Sequence, residues 1–177
     1  MKTQNLKMLP VRFPYSNPFR RMPIKHLLRG YFVTRFKFII CYSLTINVKC
    51  NYIENFHQYF FNLPPDNDYI KWTVGKAMYM ADGTALKQKQ ALDENGFYSD
   101  IISSSAVCTI ICDSIQFDEH TRRFNYYGTQ IIKRRTRDLR RSMLTTGSIE
   151  NVPRTQNNPH GLMITNWRTL ENKDLDY

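Results

Sequence analysis

The chain has 177 residues, 42% of them hydrophobic and 14% aromatic, with only 7 Gly and 8 Pro. That excludes wholesale disorder and collagen-like repeats, and suits one ordinary domain with an extension, large enough to bury roughly 70% of its unfolded surface. The formal net charge of +10 is unevenly placed: residues 1–50 carry ten Lys and Arg and no acid, the first carboxylate being Glu54, which leaves fifteen bases and fifteen acids in the remainder. The pI near 9.6 is therefore a property of the N-terminal segment, and alone it does not make the body a nucleic-acid binder.

The longest uncharged run in the basic segment, Phe38 to Val48, has 11 residues between Lys37 and Lys49. A helix that crosses a bilayer needs about 20. No small-x-small cleavage site follows before Cys50, so neither a transmembrane helix nor a clear signal peptide is expected in this chain. Residues 1–50 read as an atypical basic segment that is poorly ordered, touches a membrane or adds a strand, and residues 51–177 as an α+β domain.

From Asn51 the period is helical. Ile53, Phe56 and Phe60 form an apolar stripe that ends at Leu63, Pro64 and Pro65. Asp66, Asn67 and Asp68 are N-cap candidates for a second helix, with Ile70, Thr73, Val74, Ala77, Met78 and Ala81 on one face and Asp82 and Gly83 as its stop. A third helix is predicted over Thr84 to Asn95, where Gly96 allows a left-handed end.

After Gly96 the period changes to two. Ala106 to Phe117 alternates, with Val107, Thr109, Ile111, Asp113 and Ile115 on one side and Cys108, Ile110 and Cys112 on the other. Three more strands are predicted over Phe124–Lys133, Leu139–Ile149 and Leu162–Leu170, the last two separated by Asn, Pro and Gly punctuation. Three helices followed by four consecutive strands indicate an antiparallel sheet with one face covered by helices.

Little in the chain suggests catalysis. Cys41, Cys50, Cys108 and Cys112 contain no CxxC, and Cys108 and Cys112 would lie about 13 Å apart on one strand face, which suits core filling. His26, His57, His120 and His160 lack metal-ligand spacing, and His57, on an aromatic helix, reads as a packed structural histidine. Gly75 and Gly83 lack a phosphate-cradling pattern, and Asp93 with Glu94 and Asp118 with Glu119 sit at turns. No catalytic set, metal or cofactor is expected. The sharpest charge feature is Lys133, Arg134, Arg135, Arg137, Arg140 and Arg141, read as a solvated hairpin tip around Thr136 to Asp138. Its competing use is nucleic-acid contact, although few aromatics interleave to stack bases.

Six stretches taken together resemble one family: Phe56–Ile70 (FHQYFFNLPPDNDYI), Lys76–Ala85 (KAMYMADGTA), Glu94–Ser104 (ENGFYSDIISS), Tyr126–Arg134 (YYGTQIIKR), Asn157–Trp167 (NNPHGLMITNW) and Leu170–Leu175 (LENKDL). They are collinear over about residues 52–177 and are similar to the TraK proteins of conjugative transposons in Bacteroides-type bacteria. The resemblance implies a nuclear-transport-factor-2-like fold, with three N-terminal helices packed on a curved four-stranded antiparallel sheet. It also implies a non-enzymatic inner-membrane component of a type IV secretion apparatus with a periplasmic domain, acting by self-association (a homo-oligomer) and by docking other channel subunits. Residues 1–50 depart from the family's cytoplasmic tail, spanning helix and linker, and the 133–141 hairpin is more basic than the family leads one to expect. The motif residues carried over are Phe56, His57, Phe60, Asp82, Gly83, Asn95, Gly96, Tyr98, Asn157, Asn158, Pro159, Gly161, Glu171 and Asn172. Caps, turns and sheet cover explain most of them as well as partner contact does. A pocket enzyme or small-ligand binder of the same fold would need a buried acid or His facing a cavity.

Overall fold

The computed structural model describes residues 45–175. The basic segment up to residue 44, including most of the uncharged run, lies outside the described residues. The chain is already helical at residue 45 and stays so to residue 61 (α1), ahead of the start at Asn51 that periodicity suggested. Helices Asn67–Met78 (α2), Gly83–Glu94 (α3) and Phe97–Ser103 (α4) follow. Four strands then run as Val107–Asp118 (β1), Arg123–Lys133 (β2), Leu139–Asn151 (β3) and Leu162–Asp174 (β4), paired antiparallel in the order β1-β2-β3-β4. Among the described residues no helix is long and apolar enough to cross a membrane.

α1 buries more than its predicted stripe. Ile53, Phe56 and Phe60 are inside, joined by Tyr52, His57 and Phe61. Such a wide apolar face belongs to a helix covered on more than one side, here by the sheet and by the residues that follow α2. Pro64 and Pro65 end α1 because a proline cannot continue the hydrogen-bond ladder. Leu63 instead pairs its N–H and carbonyl with those of Cys108 at the edge of β1, at 2.9 Å each.

The second helix stops earlier than its stripe suggested. α2 starts at an N-cap, Asp66, whose carboxylate accepts the Tyr69 N–H at 2.9 Å, and it ends at Met78 rather than Ala81. The reason is tertiary: Met80 and Asp82 leave the helix to bond β4, with Ile164 N–H donating to the Met80 carbonyl at 2.8 Å and Asp82 N–H to the Ile164 carbonyl at 2.9 Å. Asp82 and Gly83 therefore begin α3 and do not terminate α2. Gly96, at φ +73°, makes the left-handed turn out of α3 and leads into α4, a fourth short helix where the sequence suggested only cover for the sheet. Tyr98 and Ile101 of α4 are buried with Leu63, Ile70, Val74, Cys108 and Ile132.

Alternation describes β1 well as far as Cys112. Cys108, Ile110 and Cys112 face the helices, but the β1–β2 register shifts between Cys112 and Ser114. The bulge adds a residue to one strand and reverses the alternation beyond it. Ile115, expected beside Ile111, thus turns inward with Phe117 against the main core. That core joins α1 to Phe124, Tyr126, Met143, Ile149, Ile164 and Trp167 of the sheet.

Candidate docking groove

The layer between helices and sheet is where an enzyme of this architecture would place an acid or base, and its centre here is His57. The ring is fully buried. Nδ1 lies 2.7 Å from the Ile53 carbonyl and Nε2 lies 2.7 Å from the Thr145 hydroxyl. Because a carbonyl can only accept, Nδ1 carries the proton and Nε2 accepts from Thr145. The imidazole stacks on Tyr126, centroids 3.7 Å apart and planes within 4°, and Phe56, Phe61, Phe124 and Trp167 surround it. Burial pushes its pKa down to about 3, against a smaller opposing pull from the Ile53 carbonyl. Both nitrogens are committed within the protein and aromatic rings fill the space around them, so His57 faces no cavity.

Burial likewise raises the thiols of Cys50, Cys108 and Cys112, Cys108 to about 11, and all three are free. Burial therefore disfavours the thiolate form on which nucleophilic chemistry depends. Among the described residues no group of His, Cys, Asp and Glu is arranged to hold a metal.

Asp82 ties α3 to β4. One carboxylate oxygen accepts the Thr84 N–H at 2.9 Å and the Thr84 hydroxyl, and the other accepts the Asn166 N–H at 3.1 Å. The same Thr84 hydroxyl oxygen accepts the Trp167 N–H at 2.9 Å. Burial pushes the Asp82 carboxyl up, but these hydrogen bonds to its charged form win and hold it below its ordinary value.

A concavity flanked by several of the motif residues lies on the other side of α1. A groove of about 630 Å³ runs between α1, α2 and the β3–β4 loop. Asn157, Asn158, Pro159 and His160 form its loop wall. That wall is fixed from beneath: Asn158 Nδ2–H donates to the Leu162 carbonyl at 2.6 Å, and Gly161, at φ +64°, turns the loop into β4. Tyr52, its hydroxyl 2.5 Å from the Leu162 carbonyl and its pKa pushed up to about 12 by burial, pins α1 to the same point.

The opposite wall is α2. Trp72 and Tyr79 remain 53% and 54% exposed there, with Tyr69, 45% exposed, beside Trp72 outside the groove, and Lys76 Nζ lies 3.8 Å from the Trp72 ring centroid and 5.6 Å from that of Tyr59. Sequence reasoning missed this face. The signal was present, since Tyr69, Trp72, Lys76 and Tyr79 recur at helical spacing on the side of α2 opposite its buried stripe, where small polar residues are the norm.

The other predicted residues do not gather here. Phe56, His57 and Phe60 are core, Asp82, Gly83, Asn95 and Gly96 mark the ends of α3, and Tyr98 is on the buried face of α4. Glu171 and Asn172 lie on the far half of β4, where Glu171 accepts from Ser142 at 3.3 Å and pairs with Lys173 at 3.4 Å. The basic cluster is a hairpin tip as expected. Lys133, Arg134, Arg135, Arg137 and Arg140 are exposed, and Arg141 pairs with Asp174. Successive turns of a meander fall at opposite ends of the sheet, so this tip and the groove's loop wall are at opposite ends.

The sequence matches no family model and no curated protein. Solved structures do match. The soluble domain of the type IV secretion protein TrwG from Bartonella grahamii aligns with TM-score 0.59 and 16% identity over 73% of this chain and 96% of its own. VirB8 of Agrobacterium tumefaciens gives 0.58 and 10%, covering 72% and 92%. An IcmL-like type IV secretion protein of Legionella pneumophila gives 0.56 and 6%, covering 74% and 94%. This chain therefore has the nuclear-transport-factor-2-like α+β fold that these secretion-system domains share.

Proposed function

We propose that this chain is a TraK-type component of a conjugative-transposon type IV secretion apparatus, its domain facing the periplasm at the inner membrane. It works without catalysis, by self-association and by docking other channel subunits. The observation that carries the reading is the match to several type IV secretion domains over more than nine-tenths of their lengths. The six collinear TraK-like motifs support it. Consistent with it, the space around His57 is filled by aromatic rings and both of its nitrogens are bonded within the protein. In-cell cross-linking followed by purification of the chain should recover other subunits of the same transfer apparatus and multimers of the chain itself. A chain recovered alone and strictly monomeric contradicts the proposal.

A second reading is favoured by the exposure of the Lys133–Arg137 tip: contact with nucleic acid. It requires affinity that falls steeply with salt, and Arg134, Arg135 and Arg137 changed together to Ala should lower the salt slope by roughly 3. Binding insensitive to those changes removes it.

A further inference from the structure

We infer that the groove between α1, α2 and the β3–β4 loop seats an acidic segment, bearing an aromatic or large apolar side chain, that belongs to a different protein; the inference rests on the docking role proposed above. The charge argument comes first. Among the described residues the groove's only formal charges are Lys71 and Lys76, and no carboxylate lines it. Two ammonium groups beside a partly apolar surface favour a carboxylate-bearing partner, which gains charge-assisted contacts as water leaves.

The apolar argument follows. Trp72 and Tyr79 keep more than half of their surface exposed on a helix whose opposite face already fills the core. Exposed Trp and Tyr in a concave site are what anchor side chains of a partner pack against. Lys76, held over Trp72, keeps its ammonium at the rim of that platform. Gly75 is the floor: a Cβ built there meets nothing within 4 Å, so the missing side chain leaves room for a partner's.

Charge also decides whose segment it is. The chain's own N-terminal residues 1–50 contain ten bases and no acid, so they are electrostatically mismatched to a groove lined by lysines. The walls are fixed by the Tyr52 and Asn158 bonds to the Leu162 carbonyl, and a preformed site loses less free energy to ordering when it binds.

The full chain is titrated by fluorescence polarisation with a short labelled peptide of Asp, Glu, Phe and Leu, and with the same peptide carrying Lys at every acidic position. The acidic peptide should bind and the basic one should not. Lys71→Glu with Lys76→Glu should weaken binding by about tenfold or more. Gly75→Leu, whose Cβ meets nothing within 4 Å and which suits a helix interior, should abolish binding while the melting temperature holds or rises. Equal binding of both peptides, or undiminished binding by Gly75→Leu, overturns the inference. So does a concentration-dependent dimer that Gly75→Leu dissolves, because it gives the groove to a second copy. Failure of the unsubstituted chain to bind the acidic peptide while it still co-purifies with secretion subunits removes the groove and keeps the docking role. Peptide binding by a chain that co-purifies with none keeps the groove and removes that role.

Discussion

His57 sits fully buried with both ring nitrogens hydrogen-bonded inside the protein, and that placement makes its protonation a matter of stability. Unfolded, its imidazole titrates near 6.5; folded, near 3. Between these values the unfolded chain takes up a proton that the folded one refuses, so stability falls as pH drops from about 6.5 toward 3. The slope approaches 1.4 kcal/mol per pH unit, roughly. Denaturant titrations at about pH 7 and pH 5 should show this loss, and His57→Phe should flatten it. At neutral pH that variant should also cost about 1–3 kcal/mol, because the buried Thr145 hydroxyl loses its acceptor. Parallel pH curves for the two proteins would refute this account. Asp82 makes a different prediction. Its carboxyl is held below its ordinary value, so its contribution is complete above about pH 4 and is lost as pH falls further. Asp82→Ala removes an N-cap and the Asn166 contact and should cost about 1–2 kcal/mol, with Asp82→Asn costing less. A loss no larger than that of an exposed surface change would show that β4 does not need this tie.

Two glycines separate what a helix and a sheet ask of the same residue. A Cβ at Gly128 of β2 would lie 2.7 Å from the Tyr126 ring and 2.9 Å from the Ile111 carbonyl. The bare backbone there lets Tyr126 lie flat and stack on His57. Gly128→Ala should therefore destabilise by about 1–3 kcal/mol through overpacking, whereas Gly75→Ala in α2, with open space around it, should stabilise by about 0.5–1 kcal/mol. Thermal melts that shift in the same direction would contradict both arguments. The elements most legible in the sequence were those with a local cause: the Pro64–Pro65 stop, the Asp66 cap, the Gly96 turn and the strand Phe124–Lys133 between its polar turns. The misplaced boundaries have non-local causes. α2 ends early because Met80 and Asp82 bond to β4, more than eighty residues away in sequence, and Ile115 faces inward because β1 bulges against β2. Residue periodicity carries no record of either.

At the scale of the whole molecule, helices before a meander were readable as an α+β domain, and the likeness to secretion-system domains confirms that class of fold. The groove was not readable. It is assembled from α1, α2 and a loop about eighty residues further on, and its aromatic wall is the side of α2 that an amphipathic reading assigns to solvent. With the basic hairpin at the other end of the sheet, the domain carries two separated groups of exposed basic residues, Lys71 with Lys76 and Lys133 to Arg137. The most direct measurement is the frequency of DNA transfer from donor cells whose copy of this gene is deleted, alone and complemented with the intact chain. The account predicts that transfer falls to background on deletion and returns on complementation, while transfer at the undeleted frequency in the deleted donor would contradict it.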